Sequence, residues 1–191
     1  MGTPASRRER ILDAAETRFA GDGFAATGTT AIADGAAVPK GLVFYYFPRK
    51  VDILRALLAE RLPSHPLCEP TEVARRGDPG ASLVALAHAL GLAQHESVVL
   101  RTIIWRESGT HPEVREHLKA LRENVLELTE RVLDAAIEHT IDPVMRRQAS
   151  QTFVAVVMDE ANTQRFAGAG PDVAGAARVI SSALTSDPAR A

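Results

Sequence analysis

Apolar residues recur at three- and four-residue intervals along most of the chain, and few stretches alternate with period two, so the pattern predicts helices nearly throughout. The clearest stretch is 112–139, where Val114, Leu118, Leu121, Val125, Leu128, Val132 and Ala135 are spaced 4, 3, 4, 3, 4, 3. Such a stripe packs against partner helices. Residues 7–20 carry Ile11, Leu12, Ala15 and Phe19 on one face, residues 50–62 carry Val51, Leu54, Leu57 and Leu58, and residues 171–184 carry Val173, Ala177, Ile180 and Leu184. Further helices are expected at 30–36, 40–46, 79–94, 96–108 and 143–166, about nine in all, which makes the fold class all-α. Residues 153–158 are apolar on every side, the mark of a segment buried on more than one face.

Punctuation supports these limits. Ser6-x-x-Glu9 and Thr110-x-x-Glu113 have capping-box spacing, in which each side chain satisfies a free amide of the first turn. Asp78-Pro79 and Asp142-Pro143 set a cap before a proline that forfeits no helix hydrogen bond, and Pro171 is expected to open the last helix in the same way. Gly21-Asp22-Gly23 ends the first helix, Pro48 separates the third from the fourth, and Pro63, Pro66 and Pro70 mark a loop.

Composition narrows the class. The 191 residues are 46% apolar and 24% charged, with 32 alanines, enough to bury a core without disulfides or metals. The longest strongly apolar run has six residues, 153–158, against the ~20 needed to span a bilayer, so no membrane partner is expected. Cys68 is the single cysteine, which points to a reducing, cytoplasmic setting. Residues 1–55 hold eight Lys/Arg against six Asp/Glu, a net of +2, and the remainder holds fourteen against eighteen, a net of −4. That asymmetry fits an N-terminal piece that meets a polyanion.

Two short helices joined by Ala37-Val38-Pro39 behind a longer one have helix-turn-helix geometry. The second would carry Lys40, Gly41, Leu42, Val43, Phe44, Tyr45 and Tyr46, a poor core helix but a good groove reader. Gly41 allows close backbone approach, Lys40 supplies charge, and tyrosines offer hydroxyls to phosphates and ring faces to thymine methyls. Phe44 and Tyr45 stand 100° apart on a helix, so at least one should face DNA, and Tyr45 is the choice. Thr27, Thr29 and Thr30 are either plain caps of the preceding helix or caps that also touch a phosphate.

Arg10-Ile11-Leu12-Asp13-Ala14-Ala15, Phe19-Ala20, Gly23-Phe24, Thr27, Ile32-Ala33, Ala36, Val38, Lys40-Gly41, Tyr45 and Phe47-Pro48, with Lys50 and Leu54 behind, share one register. In it residues 7–54 resemble the DNA-binding domain of the TetR family of bacterial transcriptional regulators. The resemblance implies a DNA-binding domain at 1–49, a ligand-binding and dimerisation domain at 50–191, a phosphate contact from Lys50, a homodimer on a palindromic double-stranded operator, and a small-molecule effector. Three positions depart from the family pattern: Ala37 where a turn glycine is usual, Pro39 where Ser or Thr precedes the lysine, and Phe44 where a tyrosine commonly meets phosphate. An alanine costs strain if its position requires positive φ.

The remainder gives softer expectations. No His pair lies at i, i+4 and no nucleophile elbow or phosphate loop is present, so neither an enzyme, a metal site nor a cofactor is expected. Pocket-lining candidates are Leu58, Leu62, His88, Arg101, Trp105, Phe153, Met158 and Asn162; dimer candidates are Val157, Ala161, Ala177, Ile180 and Leu184. The reading is therefore a repressor released by a ligand. The rival is a helical interaction protein of the same fold that has lost specific DNA binding.

Overall fold

A computed structural model describes residues 6–62, 64, 68–91, 107–163 and 170–185, the side chains of 161–163 excepted. Among them are nine helices: α1 Arg7–Asp22, α2 Thr29–Gly35, α3 Lys40–Tyr46, α4 Lys50–Arg61, α5 Pro70–Val73, α6 Pro79–Leu90, α7 Pro112–Ala136, α8 Pro143–Thr163 and α9 Val173–Thr185. The described residues contain no strand, and none of their helices is long and apolar enough to cross a membrane. The helix expected at 96–108 lies outside the described residues up to 106.

The caps explain most boundaries. Ser6 and Glu9 form the expected capping box at α1, the Glu9 amide donating to Ser6 Oγ at 3.2 Å. Asp78 accepts from the Ala81 N–H at 2.8 Å, and Asp142 from the Val144 and Met145 N–H groups at 2.8 and 3.0 Å. Two starts differ from expectation. Thr110 makes no box with Glu113: its hydroxyl donates backward to the carbonyl and carboxylate of Glu107, and Glu113 pairs with Arg55 instead. The last helix opens at Val173, because Asp172 rather than Pro171 supplies the cap, accepting from the Gly175 N–H at 2.7 Å. Near the end of α7 the buried stripe passes from Val132 to Ala136, leaving Ala135 exposed. A straight helix of 3.6 residues per turn drifts about 20° per heptad from a strict 3.5 repeat, so the inward position slips by one.

The described residues form two compact units. The first joins residues up to 64 with 107–119. Its core takes Ile11, Leu12, Ala15 and Phe19 from α1, Ile32 and Ala33 from α2, Val43 from α3, Ile53, Leu54, Leu57 and Leu58 from α4, and Val114 from the start of α7. Two ion pairs fasten α1 to α4 at the surface, Arg8 with Glu60 and Arg61 with Asp13. The His117 ring meets the Leu62 carbonyl at the end of α4 at 2.5 Å. This unit is larger than the 1–49 segment assigned to DNA binding, because α4 and 107–119 complete its core.

The second unit joins residues 68–91 with 120–185. In it α9 packs on both α6 and α8. Gly80 permits the α6 contact, since a Cβ there would lie 3.3 Å from Ser181 Cβ. Val157, Ala177, Ile180 and Leu184 are buried here within one chain. These are the residues expected at a dimer interface; an amphipathic helix buries its single apolar stripe first, and within one chain this stripe is covered inside the unit. Ala161 lies outside the described side chains.

Candidate nucleic-acid interface

The turn between α2 and α3 begins where α2 runs out of amides. Val38 N–H reaches back to the Ala33 carbonyl at 3.0 Å and Ala37 N–H to Asp34 at 3.1 Å, the paired bonds of a Schellman stop. That stop needs a left-handed residue, and Ala37 supplies it at φ 51°, the one non-glycine with positive φ among the described residues. The expected strain is present. The glycine two positions earlier serves a different end: a Cβ on Gly35 would stand 3.2 Å from Ala14 Cβ, so its absence lets α2 lie against α1.

α3 divides cleanly by face. Val43 and Phe47 are buried and anchor it to the core. Lys40, Gly41, Phe44, Tyr45 and Tyr46 are exposed, and Leu42 is half-buried. Phe44 is 44% exposed, Tyr45 77% and Tyr46 36%, so both residues set 100° apart in the sequence face solvent. The two tyrosine rings meet edge-on at 5.2 Å, and the Lys40 ammonium lies 6.0 Å from the Phe44 ring. Three aromatic rings beside a lysine on one exposed helical turn form a surface suited to a partner. Nothing lies within 4 Å of where a Gly41 Cβ would be.

Two of the other expected contact residues, Thr27 and Lys50, are engaged inside the first unit. Thr27 is buried, and its hydroxyl donates to the Gly23 and Arg18 carbonyls at 2.7 and 3.3 Å. Gly28 stands at the N-cap of α2, with Thr29 half-buried and Thr30 exposed, so no threonine side chain caps that helix. Lys50 turns inward, its ammonium donating to the carbonyls of Phe24, Ala25 and Thr27 at 2.6, 3.2 and 2.9 Å. Those bonds occupy its three hydrogens. Burial pushes its pKa down, partly opposed by the Glu107 carboxylate.

The family model described as bacterial regulatory proteins, tetR family, matches residues 11–57, which span α1 through most of α4. Residues 11–57 are thus similar to the N-terminal domain of the tetR family of bacterial regulatory proteins. Solved structures share the fold over most of the chain. The SmeT–triclosan complex shares 24% identity over 98% of this chain and 95% of that one, with a TM-score of 0.71. AmtR of Mycobacterium smegmatis shares 25% over 94% and 88%, with a TM-score of 0.64. A TetR-like transcriptional regulator of Rhodococcus sp. RHA1 shares 21% over 95% of each chain, with a TM-score of 0.62. No curated protein matches the sequence. The matched family is one of bacterial regulatory proteins, and the Rhodococcus neighbour is a TetR-like transcriptional regulator.

The pocket candidates that are described are divided between the two units. Leu58 and Leu62 are buried in the first unit; in the second, Phe153 is buried, Met158 half-buried and His88 exposed. Arg101, Trp105 and the Asn162 side chain lie outside the described residues. A cleft of about 480 Å³ opens instead between α6 and α9, lined by Asp78, Val84 and Arg178 among others, and includes none of the candidates. Sequence reasoning missed Glu107, a buried carboxylate beside Phe24. Its only signal was a charged residue on what read as an ordinary helix end.

Proposed function

We propose that the chain is a homodimeric, cytoplasmic transcriptional repressor that binds a palindromic double-stranded operator and is released by a small-molecule effector. Residues 1–49 read DNA, and residues 50–191 dimerise and receive the effector. The observation that carries this reading is the outward face of α3, where Lys40, Phe44, Tyr45 and Tyr46 stand exposed while Val43 and Phe47 hold the helix to its core. Lys40, Gly41, Tyr45 and Tyr46 are its base and phosphate contacts, with Thr30, Leu42 and Phe44 at the margin.

Two α3 helices reading successive major grooves require a spacing of about 34–36 Å or a multiple of it, hence two-fold pairing. The apolar residues left outside the core support where that pairing occurs. Val179 is 71% exposed on α9, and Ala183 and Ala155 are exposed on α9 and α8. An effector is supported by the fold shared with SmeT, whose structure was determined with triclosan.

Footprinting on the DNA upstream of its own gene tests the reading. The expected result is an inverted repeat protected as two half-sites, with light scattering showing a dimer. Binding with no preference over random duplex, at any salt, favours the helical interaction protein and ends the regulator reading.

A further inference from the structure

The loop from Gly23 to Thr27 leads straight into α2, and three groups from elsewhere in the first unit hold it. Glu107, only 6% exposed, accepts from the Phe24 N–H through Oε1 at 2.9 Å, across 83 residues of chain. Its other oxygen receives the Thr110 hydroxyl at 3.3 Å and lies 3.3 Å from His111 Nε2. The His111 ring meets the Phe24 ring edge-on at 4.4 Å. Lys50 takes the loop's carbonyls, those of Phe24, Ala25 and Thr27. An anion thus grips the donor of this short segment while a cation grips its acceptors. Burying a carboxylate to meet an amide and a local hydroxyl is weak as a stability device, because an apolar side chain fills such a site at less desolvation cost. It is effective as a device of position, because an orphaned buried N–H is penalised wherever the loop shifts.

We propose that Glu107 is a positioning residue for α2 and α3, acting through the Phe24 amide, and that the 107–111 turn thereby sets operator affinity from outside the helix-turn-helix. The proposal rests on the DNA-binding reading above. Phe24 is four residues before the N-cap of α2, and the Schellman stop at Ala37 ties α2 to α3, so a displacement of the loop is passed on to the exposed face of α3.

The test uses the full-length protein and its Glu107→Gln and Glu107→Leu variants, with the footprinted operator and a random duplex of equal length as probes. Hydrogen exchange at Phe24 is followed in the absence of DNA. Glutamine keeps the acceptor, so Glu107→Gln should retain wild-type operator affinity and a protected Phe24 amide. Leucine fills the space without accepting, so Glu107→Leu should weaken operator binding at least about fivefold, leave random-duplex binding unchanged and expose the Phe24 amide to exchange. A folded Glu107→Leu protein with wild-type operator affinity overturns the proposal, as does equal loss on both duplexes. If that variant does not fold, the wild-type and glutamine proteins decide: a Phe24 amide exchanging as fast as exposed loop amides overturns the clamp. Failure of the wild type to prefer any operator would instead end the DNA-binding reading, with the clamp still judged by exchange.

Discussion

The ammonium of Lys50 lies 4.4 Å from the centre of the Phe24 ring and donates at 2.6 Å to the carbonyl of the same residue. Its charge is spent inside the first unit. Lys50→Met should therefore destabilise the fold, by about 1–3 kcal/mol for three carbonyls losing a charged donor. The salt dependence of DNA binding separates this role from a phosphate contact. A lost phosphate contact would lower the slope of log affinity against log salt by about 0.9, whereas Lys50→Met should leave the slope where it is. Thermal melting and a salt titration settle the two.

Tyr45 is the most exposed aromatic of α3 at 77%. Removing it should leave the melting temperature unchanged. Tyr45→Ala is expected to cost about 1–3 kcal/mol of operator binding and to relax preference at one half-site position, read by competition among single-base variants of the operator. Tyr45→Phe distinguishes ring from hydroxyl: full affinity with the phenylalanine would assign the contact to the ring face. Equal loss on operator and random DNA for Tyr45→Ala would restrict it to the phosphate backbone.

Ala37 holds φ at 51°, where a Cβ is crowded by the following carbonyl. Ala37→Gly removes that crowding and adds backbone freedom to the unfolded chain, so the two effects oppose each other. The steric relief is about 1–2 kcal/mol and the entropic loss about 0.4–1, so a small net gain in stability is expected. Chemical denaturation would show a higher midpoint at an unchanged slope. A lower midpoint would mean that Ala37 is at ease in the left-handed region.

Val179 projects from α9 at 71% exposure, so a charge there breaks nothing inside the chain. Val179→Glu should leave helix content intact and shift light scattering from dimer to monomer at micromolar concentration. Operator affinity should fall with it, since each protomer then offers one reader helix. A Val179→Glu protein that remains fully dimeric would remove this face of α9 from the interface.

Glu60 is held below the ordinary glutamate range, first by its hydrogen bonds from Arg8 and then by the guanidinium's charge, against an opposing effect of burial. A carboxylate depressed in the folded state stabilises above its unfolded pKa, and that contribution is lost as pH falls through the folded value. The Arg8–Glu60 pair should therefore support α1 on α4 above about pH 4.3 and fade below it. Melting temperatures of wild type and Glu60→Gln should differ most near neutrality and converge in acid. A difference that grows on acidification would reverse the assignment.

The sequence reveals α3 well because local signals dictate it. Lys40 to Tyr46 is bounded by Pro39 and Pro48, and alternating its residues between core and solvent needs only helical geometry. Lys50 was harder to place. Its partners are three carbonyls 23–26 residues away, and main-chain acceptors leave no trace in side-chain pattern. Glu107 was hidden for the same reason, since its partner is an amide. For the dimer candidates the ground is different. Periodicity identifies which face of α9 is apolar, but not whether α6 and α8 or a second protomer covers it. Val179 lies off that stripe and gave no periodic signal.

Val114 completes a core otherwise made by α1–α4, and Glu107 satisfies an amide in the α1–α2 loop. A ribosome makes the chain in order. When Phe24 has been polymerised, 83 residues still separate it from Glu107, about 4–17 s at 5–20 residues per second. Through that interval the nascent first unit has a gap in its core and an unmet donor at the entrance to α2. The matched segment 11–57 is thus a unit of sequence but not of folding. A growing chain acquires its finished first unit only when residues 107–119 arrive, so a truncated product released earlier would lack the parts that complete that unit.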